Sequence, residues 1–423
     1  MSHDVLMYKR RRYASLAALT AVALLISGAI YLGVGALPGR AAARPPAAPA
    51  AVWVGTWSAP PVEAAADGDP GGGDPREPGA RTVRNVVHTS IGGTAARLTL
   101  SNLLGRRPLT VAQVSLALRA GSGADAVPGT LRRVTFHGLR RVTIAPGGQS
   151  VSDPVVLKIP YDGDLLVSVA THGGPVTVHP RARQTSYVAD GDRTQDVGGE
   201  AYASRIHTWR HLTAVDVLTR EADGAVVAIG DSITDGTTAT SDANRRWPDV
   251  LADLLERRGT PHYGVLNAGI GGNRLLEGGR GPTALARFDR DVLARPGVRT
   301  VIVAIGINDL LRAPRTATAD RITAGFAELT RRAHARGLRV VGATLLPCGG
   351  YRGCTRSVQA VREEVNGAVR GGGVFDGVVD FDRALRDPYA PGRLKTAYDS
   401  GDHVHPSDAG YARMGGAVDL AGL

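Results

Sequence analysis

Four short motifs hold residue types that are suited to nucleophilic catalysis. They lie at residues 230–234 (GDSIT), 267–273 (NAGIGGN), 306–309 (GIND) and 402–406 (DHVHP) of the 423-residue sequence. Ser232 in the first motif is a weak nucleophile unless a base removes its proton. His405 can take that proton and return it to a leaving alcohol, and Asp402 can hold the imidazole in the required tautomer. These three residues would form a triad for acyl transfer.

The two middle motifs supply hydrogen-bond donors for the same chemistry. Glycines let a backbone approach a ligand closely, so the N–H of Gly272 can face a reacting carbonyl oxygen. Together with the N–H of Ser232 and the side-chain amide of Asn308, it would form an oxyanion hole with three donors.

Each motif taken alone has another interpretation. Gly-Asp-Ser is common in turns, Asn308 could cap a helix, and the glycine run could be a phosphate loop, although it fits neither established phosphate pattern. His403 and His405 could bind a metal. A metallophosphoesterase would use them with Asp231 and Asp402, but the Gly-Asp-x-His-Gly and Gly-Asn-His-Asp signatures are absent. A non-catalytic binding protein of the cell surface would need no nucleophile at all.

The motifs follow elements of an α/β pattern that begins near residue 216. Short apolar runs at residues 225–229, 265–268, 300–305, 339–345 and 374–380 alternate with helix-like stretches at 246–257, 282–293, 319–335 and 356–369. Apolar strands that alternate with helices predict a parallel sheet covered by helices on both faces. The first three motifs directly follow strands, and ligands bind at the carboxyl ends of such strands. We therefore expect a catalytic domain over residues 216–423.

Residues 52–215 have a different pattern. Short stretches rich in Val, Thr and Leu are separated by turn signals such as those at residues 128–129 and 146–148, and no long helical period occurs. A β-sandwich is the natural interpretation. Its function stays open between a lid, a structural partner and a carbohydrate-binding module. A breaker-rich stretch at residues 67–79 predicts a loop.

Residues 1–40 are predicted to be a targeting segment. Four basic residues at 9–12 precede 27 uncharged residues, and residues 16–37 would form a helix about 33 Å long, enough to span a membrane. Small residues at 41–43 offer a cleavage site, so both an uncleaved tether through residues 13–37 and a cleaved signal peptide are possible. Either predicts an extracytoplasmic protein, secreted or anchored, with an Ala/Pro-rich linker at residues 41–51.

The charge distribution excludes a nucleic-acid-binding protein. The formal net charge is +11, but the first 50 residues carry +5 of it. No arginine run with interleaved aromatic residues occurs in the remainder, as such binding would require.

The two cysteines agree with export. Cys348 and Cys354 lie six residues apart in a glycine-rich segment, which favours a disulfide. Closing so short a loop stabilises the fold by about 2 kcal/mol. Two cysteines alone make a poor zinc site, and we predict neither a metal nor another cofactor.

The four motifs together resemble the GDSL or SGNH hydrolase superfamily over residues 225–423. The matching blocks are residues 230–234, Gly272, residues 306–309 and residues 402–405. The segment WVGTWS at residues 53–58 and the β-rich region resemble secreted bacterial acylhydrolases and arylesterases. The resemblance implies a three-layer α/β/α flavodoxin-like fold. It also implies catalytic roles for Ser232, Gly272, Asn308 and His405, with Asp402 completing the triad.

These observations predict an exported serine ester hydrolase that needs no metal. We expect its substrate to be a short acyl group esterified to a carbohydrate or an aryl alcohol. A lipid acyl ester is the alternative.

Overall fold

The computed structural model describes Met7 and residues 13–14, 16–27, 50–63, 80–172, 177–259 and 262–423. The chain divides into two units, Met1–Pro49 and Ala50–Leu423. In the first unit, residues 16–27 are helical and exposed. Within the described residues, no helix combines the length and apolar character needed to cross a membrane. Residues 28–37, the cleavage site at 41–43, nearly all of the linker and the loop at 67–79 lie outside the described residues.

The first part of the second unit is a β-sandwich, called here the β-domain (residues 50–219). Its strands are β1 Val52–Ser58, β2 Ala80–His88, β3 Gly93–Ser101, β4 Leu109–Leu118, β5 Arg132–Val134, β6 Val142–Ile144, β7 Gln149–Val151, β8 Val155–Ile159, β9 Asp164–His172, β10 Val178–Pro180, β11 Ser186–Asp190, β12 Ser204–Ile206, β13 Thr208–Arg210 and β14 Leu212–Thr219. One antiparallel sheet has the order β1-β14-β3-β7 with β8 beside β3, and the other has the order β12-β11-β2-β9-β4-β5 with β6 beside β4. Strands β10 and β13 form a separate pair.

Apolar side chains from both sheets share one core. Leu98 and Val215 on one sheet and Val114 and Val167 on the other are fully buried in the same cluster. The alternation of buried and exposed residues along β8 fits a strand with one face inward. The predicted antiparallel β-rich domain is therefore confirmed.

The second part, called here the α/β domain (residues 224–423), has a five-stranded parallel sheet. Its strands are β15 Gly224–Gly230, β16 Tyr263–Gly269, β17 Val298–Ala304, β18 Arg339–Ala343 and β19 Gly377–Val379, in the order β16-β15-β17-β18-β19. Every residue of β15 is buried, as expected for an interior strand covered on both faces. This order is the flavodoxin-like arrangement, and the predicted three-layer fold is confirmed.

Helices cover the sheet. They are α1 Ser232–Asp235, α2 Trp247–Arg258, α3 Ala284–Phe288, α4 Ile307–Arg312, α5 Ala319–His334, α6 Arg356–Gly371, α7 Phe381–Leu385 and α8 Asp408–Gly415. On α5 the side chains of Ile322, Phe326 and Leu329 are buried, which follows from their spacing of three and four residues. The helix predicted over residues 282–293 is α3 followed by a π-helical turn at Asp289–Leu293.

The β-domain contacts edge strand β16 of the parallel sheet through hydrogen bonds. Ser90 Oγ donates to the carbonyl oxygen of Val265 at 3.0 Å and accepts from its N–H at 2.8 Å. Ser58 Oγ donates to the carbonyl oxygen of Asn267 at 3.0 Å. A Cβ on Gly55 would lie only 2.6 Å from Cδ1 of Leu266, so a larger residue there would have to displace this side chain. The edge strand is thereby covered, which removes a row of unpaired backbone groups.

Candidate active site

Ser232 lies at a sharp turn between strand β15 and a short helix. Strand β15 ends at Gly230, and Ser232 is the first residue of α1. Asp231 caps this helix because its Oδ1 accepts the N–H of Ile233 at 3.0 Å. Gly236 takes the left-handed conformation and ends α1 after one turn. The turn places the serine hydroxyl at the carboxyl edge of the sheet, with the backbone N–H at the open end of a helix.

A continuous hydrogen-bonded chain links Ser232, His405 and Asp402. The Nε2 of His405 lies 2.8 Å from Oγ of Ser232, and its Nδ1 lies 2.5 Å from Oδ2 of Asp402. The second carboxylate oxygen of Asp402 accepts the backbone N–H groups of Val404 and His405, at 3.0 Å and 2.8 Å. One carboxylate therefore fixes both the ring and the backbone of the histidine.

Asp402 is held in its ionised form. Partial burial alone would raise its pKa, but the hydrogen bonds from the His405 ring and from the two backbone N–H groups lower the pKa below its usual range. The Asp402 side chain is 43% exposed, whereas Ser232 is only 8% exposed. The Asp402 end of this hydrogen-bonded chain therefore faces water, and the Ser232 end faces the interior of the site.

His403 lies beside this chain but outside it. Its φ is 67°, and its Nδ1 contacts Oδ2 of Asp399 at 2.7 Å. The two histidines of the motif therefore have separate aspartate partners. In the part of the chain that the structure describes, no three His, Cys, Asp or Glu residues are grouped so that they could hold a metal ion.

The glycine loop after β16 leaves one N–H group free. The N–H groups of Ile270, Gly271 and Asn273 donate to Gly230 O at 3.2 Å, Asp235 Oδ2 at 3.1 Å and Ile270 O at 3.0 Å. Gly272 has a φ of 77°, and its N–H has no acceptor among the described residues. A fixed and exposed N–H without an intramolecular partner is suited to bind an oxygen of a ligand.

Asn308 packs against the same loop. It lies in the first turn of α4, directly after the carboxyl end of β17, and is 8% exposed. Its Nδ2 donates to the carbonyl oxygen of Asn273 at 3.1 Å, which uses one of its two amide hydrogens. The adjacent Asp309 accepts the N–H groups of Leu275 and Leu276 at 2.8 Å and 3.0 Å. The segment after β17 thus holds the loop at several points.

Comparisons with known proteins find a family model that matches the region holding this site. A model of the GDSL-like lipase/acylhydrolase family matches residues 228–413, a segment that contains all four motifs. The matched segment is called here the hydrolase domain. The match confirms the resemblance to the GDSL/SGNH superfamily and indicates a carboxylic ester hydrolase. No curated protein matches the chain at a significant level.

Several solved structures resemble part of the chain. A putative lipolytic protein of the G-D-S-L family from Desulfitobacterium hafniense is 26% identical, with a TM-score of 0.36, and the match covers 46% of this chain and 97% of that one. A lipase/acylhydrolase from Enterococcus faecalis is 20% identical, with a TM-score of 0.37 and coverage of 46% and 92%. An acetyl xylan esterase from Geobacillus stearothermophilus, solved as a variant, is 21% identical, with a TM-score of 0.35 and coverage of 46% and 93%.

The hydrolase domain contains a buried arginine that the sequence did not single out. Arg287 on α3 donates to the carbonyl oxygens of Gly230 and Ala268 at 2.9 Å and 2.8 Å, and to Asn273 Oδ1 at 3.1 Å. Oδ2 of Asp291 lies 3.1 Å from Nη1 of Arg287 and balances its charge. Burial lowers the pKa of Arg287, and Asp291 opposes that change. This side chain joins the ends of β15 and β16 to the glycine loop. The sequence pattern of the helix that carries Arg287 does not indicate that its side chain would be buried in this position.

Asp231 is a second buried group with a shifted pKa. Burial raises the pKa of Asp231 to about 7, and the nearby carboxylates of Asp309 and Asp235 raise it as well. The hydrogen bond from Ile233 and the charge of Arg287 lower it. The capping carboxyl group is therefore much less acidic than an exposed aspartate.

A disulfide joins Cys348 to Cys354 before α6. Within the bridged loop, a Cβ on Gly350 would lie 2.9 Å from the ring of His403, and Gly350 has a φ of 106°. The disulfide loop therefore packs beside the segment that carries His403 and His405.

Proposed function

We propose that this hydrolase cleaves esters through an acyl-enzyme formed on Ser232. The observation that carries the proposal is the hydrogen-bonded chain from Ser232 Oγ through His405 to Asp402. His405 accepts the hydroxyl proton as Oγ attacks the ester carbonyl, and Asp402 stabilises the resulting imidazolium. The tetrahedral intermediate collapses as His405 gives the proton to the leaving alcohol. Water, activated by the same histidine, then hydrolyses the acyl-enzyme.

The oxyanion of each tetrahedral intermediate is bound by the N–H groups of Ser232 and Gly272 and the amide of Asn308. The free N–H of Gly272 supports this assignment, as does the attachment of Asn308 to the same loop. Donors held in place before the reaction stabilise the developing charge without a cost of reorganisation.

Asn308→Ala should lower kcat by roughly 10²–10³, the usual effect of removing one such donor. KM should change little, because the bond to the oxygen forms mainly in the transition state. Asn308→Asp should lose more, since a carboxylate would repel the oxyanion. Circular dichroism must show a folded variant, because the Asn273 contact is also lost. If folded Asn308→Ala keeps kcat within about threefold, the assignment is wrong.

The substrate we infer is a short acyl group on a carbohydrate or aryl alcohol. The surface around the free N–H supports a polar substrate: Gly272 is exposed, and Arg181 and Arg280 beside it are exposed as well. A Cβ on Gly271 would lie 3.5 Å from Nη1 of Arg181, and one on Gly272 would lie 3.8 Å from Cβ of Arg280. Polar groups of this kind favour a hydrated alcohol over a long acyl chain.

Residues 1–40 would direct export of this hydrolase. The basic cluster and the following uncharged stretch support the proposal, and the disulfide suits an oxidising compartment. The N-terminal sequence of protein recovered from membrane and medium fractions would distinguish a retained tether from a cleaved signal.

A panel of esters graded in acyl length and in alcohol would test the substrate proposal. We expect kcat/KM to be highest for acetyl or propionyl esters of p-nitrophenol or of an oligosaccharide and at least about tenfold lower for octanoyl esters. A phospholipid substrate would identify a lipid hydrolase if it were preferred. Bis(p-nitrophenyl) phosphate serves as the control for phosphoesterase activity, and its cleavage, blocked by EDTA and restored by metal, would contradict the proposal.

A further inference from the structure

A histidine of the β-domain reaches the helix that carries the nucleophile. His179 lies on β10 and is 4% exposed. Its Nδ1 contacts the carbonyl oxygen of Pro60 at 2.7 Å, and its Nε2 contacts Oδ1 of Asp235 at 2.9 Å. Asp235 is the last residue of α1, three positions after Ser232, and is 6% exposed. A carbonyl oxygen only accepts, so both ring nitrogens face acceptors, and the ring bridges the two domains.

The other oxygen of Asp235 holds the glycine loop. Its Oδ2 accepts the N–H of Gly271 at 3.1 Å, directly before Gly272 with its free N–H. The same carboxylate thus connects the β-domain histidine to the backbone that presents the proposed oxyanion donor. A Cβ on Gly271 would also lie 3.2 Å from Oδ2 of Asp235, so the loop is in close contact with this carboxylate.

Aromatic packing fixes the orientation of the His179 ring. Its centroid lies 5.4 Å from that of Trp209, which makes an edge contact with Trp57 at 4.9 Å. Trp209 is in turn anchored by its indole N–H, which donates to the carbonyl oxygen of Val86 at 2.6 Å. The core of the β-domain therefore positions the histidine ring from one side, and Asp235 contacts it from the other.

We propose that His179 is a positioning residue for the oxyanion hole, so that the β-domain completes the active site of the hydrolase domain. This inference rests on the proposed role of Gly272. His179 supplies the hydrogen-bond donor that a buried Asp235 requires, and Asp235 then fixes Gly271. Without that donor the carboxylate loses its partner and can rotate away from the loop. Displacement of a positioning group by about 1 Å can cost on the order of 10²-fold in rate.

Two amide substitutions separate the two contacts of the ring. His179→Gln can place its Nε2 near the histidine Nε2 position and donate to Asp235. His179→Asn is shorter: its Nδ2 can donate to Pro60 but does not reach Asp235. We expect His179→Gln to keep kcat within about threefold of the parent. We expect His179→Asn, His179→Ala and Asp235→Asn to lower kcat by about 10–100-fold with KM within about twofold.

His88 offers the matched control. It is also a histidine of the β-domain that contacts aspartates, Asp164 at 2.8 Å and Asp162 at 2.9 Å. Among the described residues, neither aspartate has a hydrogen bond to the glycine loop. His88→Asn should lower the melting temperature without lowering kcat by more than about twofold. The melting temperature of each variant shows how much of its change in kcat comes from a loss of stability.

The measured quantity is kcat on p-nitrophenyl acetate. The fraction of molecules that an organophosphonate labels at Ser232 gives the number of competent active sites, by which each rate is divided. Equal kcat for His179→Gln and His179→Asn, or an equal loss in His88→Asn, would overturn the proposal. If Asn308→Ala loses activity while His179→Asn does not, only the positioning role fails. If the parent enzyme neither hydrolyses esters nor reacts at Ser232, the proposed function itself fails.

Discussion

Ser232→Ala should lower kcat on p-nitrophenyl acetate by about 10⁴–10⁶, because the members of a triad act as a unit and removing the nucleophile removes the covalent route. The oxyanion donors remain in this variant and account for the residual rate. The substitution removes only the hydroxyl that contacts His405, so the strand, the Asp231 cap and α1 should stay intact. The melting temperature should therefore change little.

Covalent labelling gives an independent measurement of the same residue. An organophosphonate ester should modify Ser232 in the parent enzyme, abolish turnover and leave Ser232→Ala unmodified, as peptide mass mapping would show. Ser357→Ala is the matched control, since that serine is exposed on α6 and its hydroxyl contacts that of Thr355. Modification of a different serine in the parent, or a Ser232→Ala variant with near-parental kcat, would refute the nucleophile assignment.

Motifs at strand ends could be placed together from the sequence because of a general property of parallel sheets. The carboxyl ends of β15, β16 and β17 share one edge, so Ser232, Gly272 and Asn308 had to lie near one another. Asp402 and His405 are close in sequence and could be paired on that ground. Their contact with Ser232 depends on the long segment after α7, whose path no local pattern indicates.

Contacts between distant elements could not be predicted in the same way. His179 lies on strand β10 of the β-domain and Asp235 lies on helix α1, 56 residues later, so only the packing of the two domains brings them together. The sequence gives no reason to distinguish Arg287 from the other charged residues of its predicted helix. In the structure, however, its guanidinium group is buried and donates to three backbone and side-chain oxygens of the site. The pairing of β1 with β14 also joins segments about 160 residues apart. Such pairings follow from tertiary packing, which overrides the local secondary-structure preference of each segment.

The two histidines of the DHVHP motif should differ sharply in their effect on catalysis. His405→Ala should lower kcat by about 10⁴ or more, because Ser232 then has no base and the leaving alcohol has no acid. His403→Ala should keep kcat within about threefold, since its ring contacts Asp399 and not Ser232. Both rates are measured on p-nitrophenyl acetate near neutral pH, with circular dichroism to verify folding.

The matched pair of variants separates a catalytic triad from a metal site. Both histidines occupy the same loop and each contacts one aspartate, so simple damage to the loop should affect both variants alike. In a metal site, each histidine would be a ligand and each substitution would abolish activity. A loss of about tenfold or more in His403→Ala, comparable to that in His405→Ala and relieved by added divalent metal, would therefore contradict the triad. A large loss confined to His405→Ala fits only a histidine that works directly on Ser232.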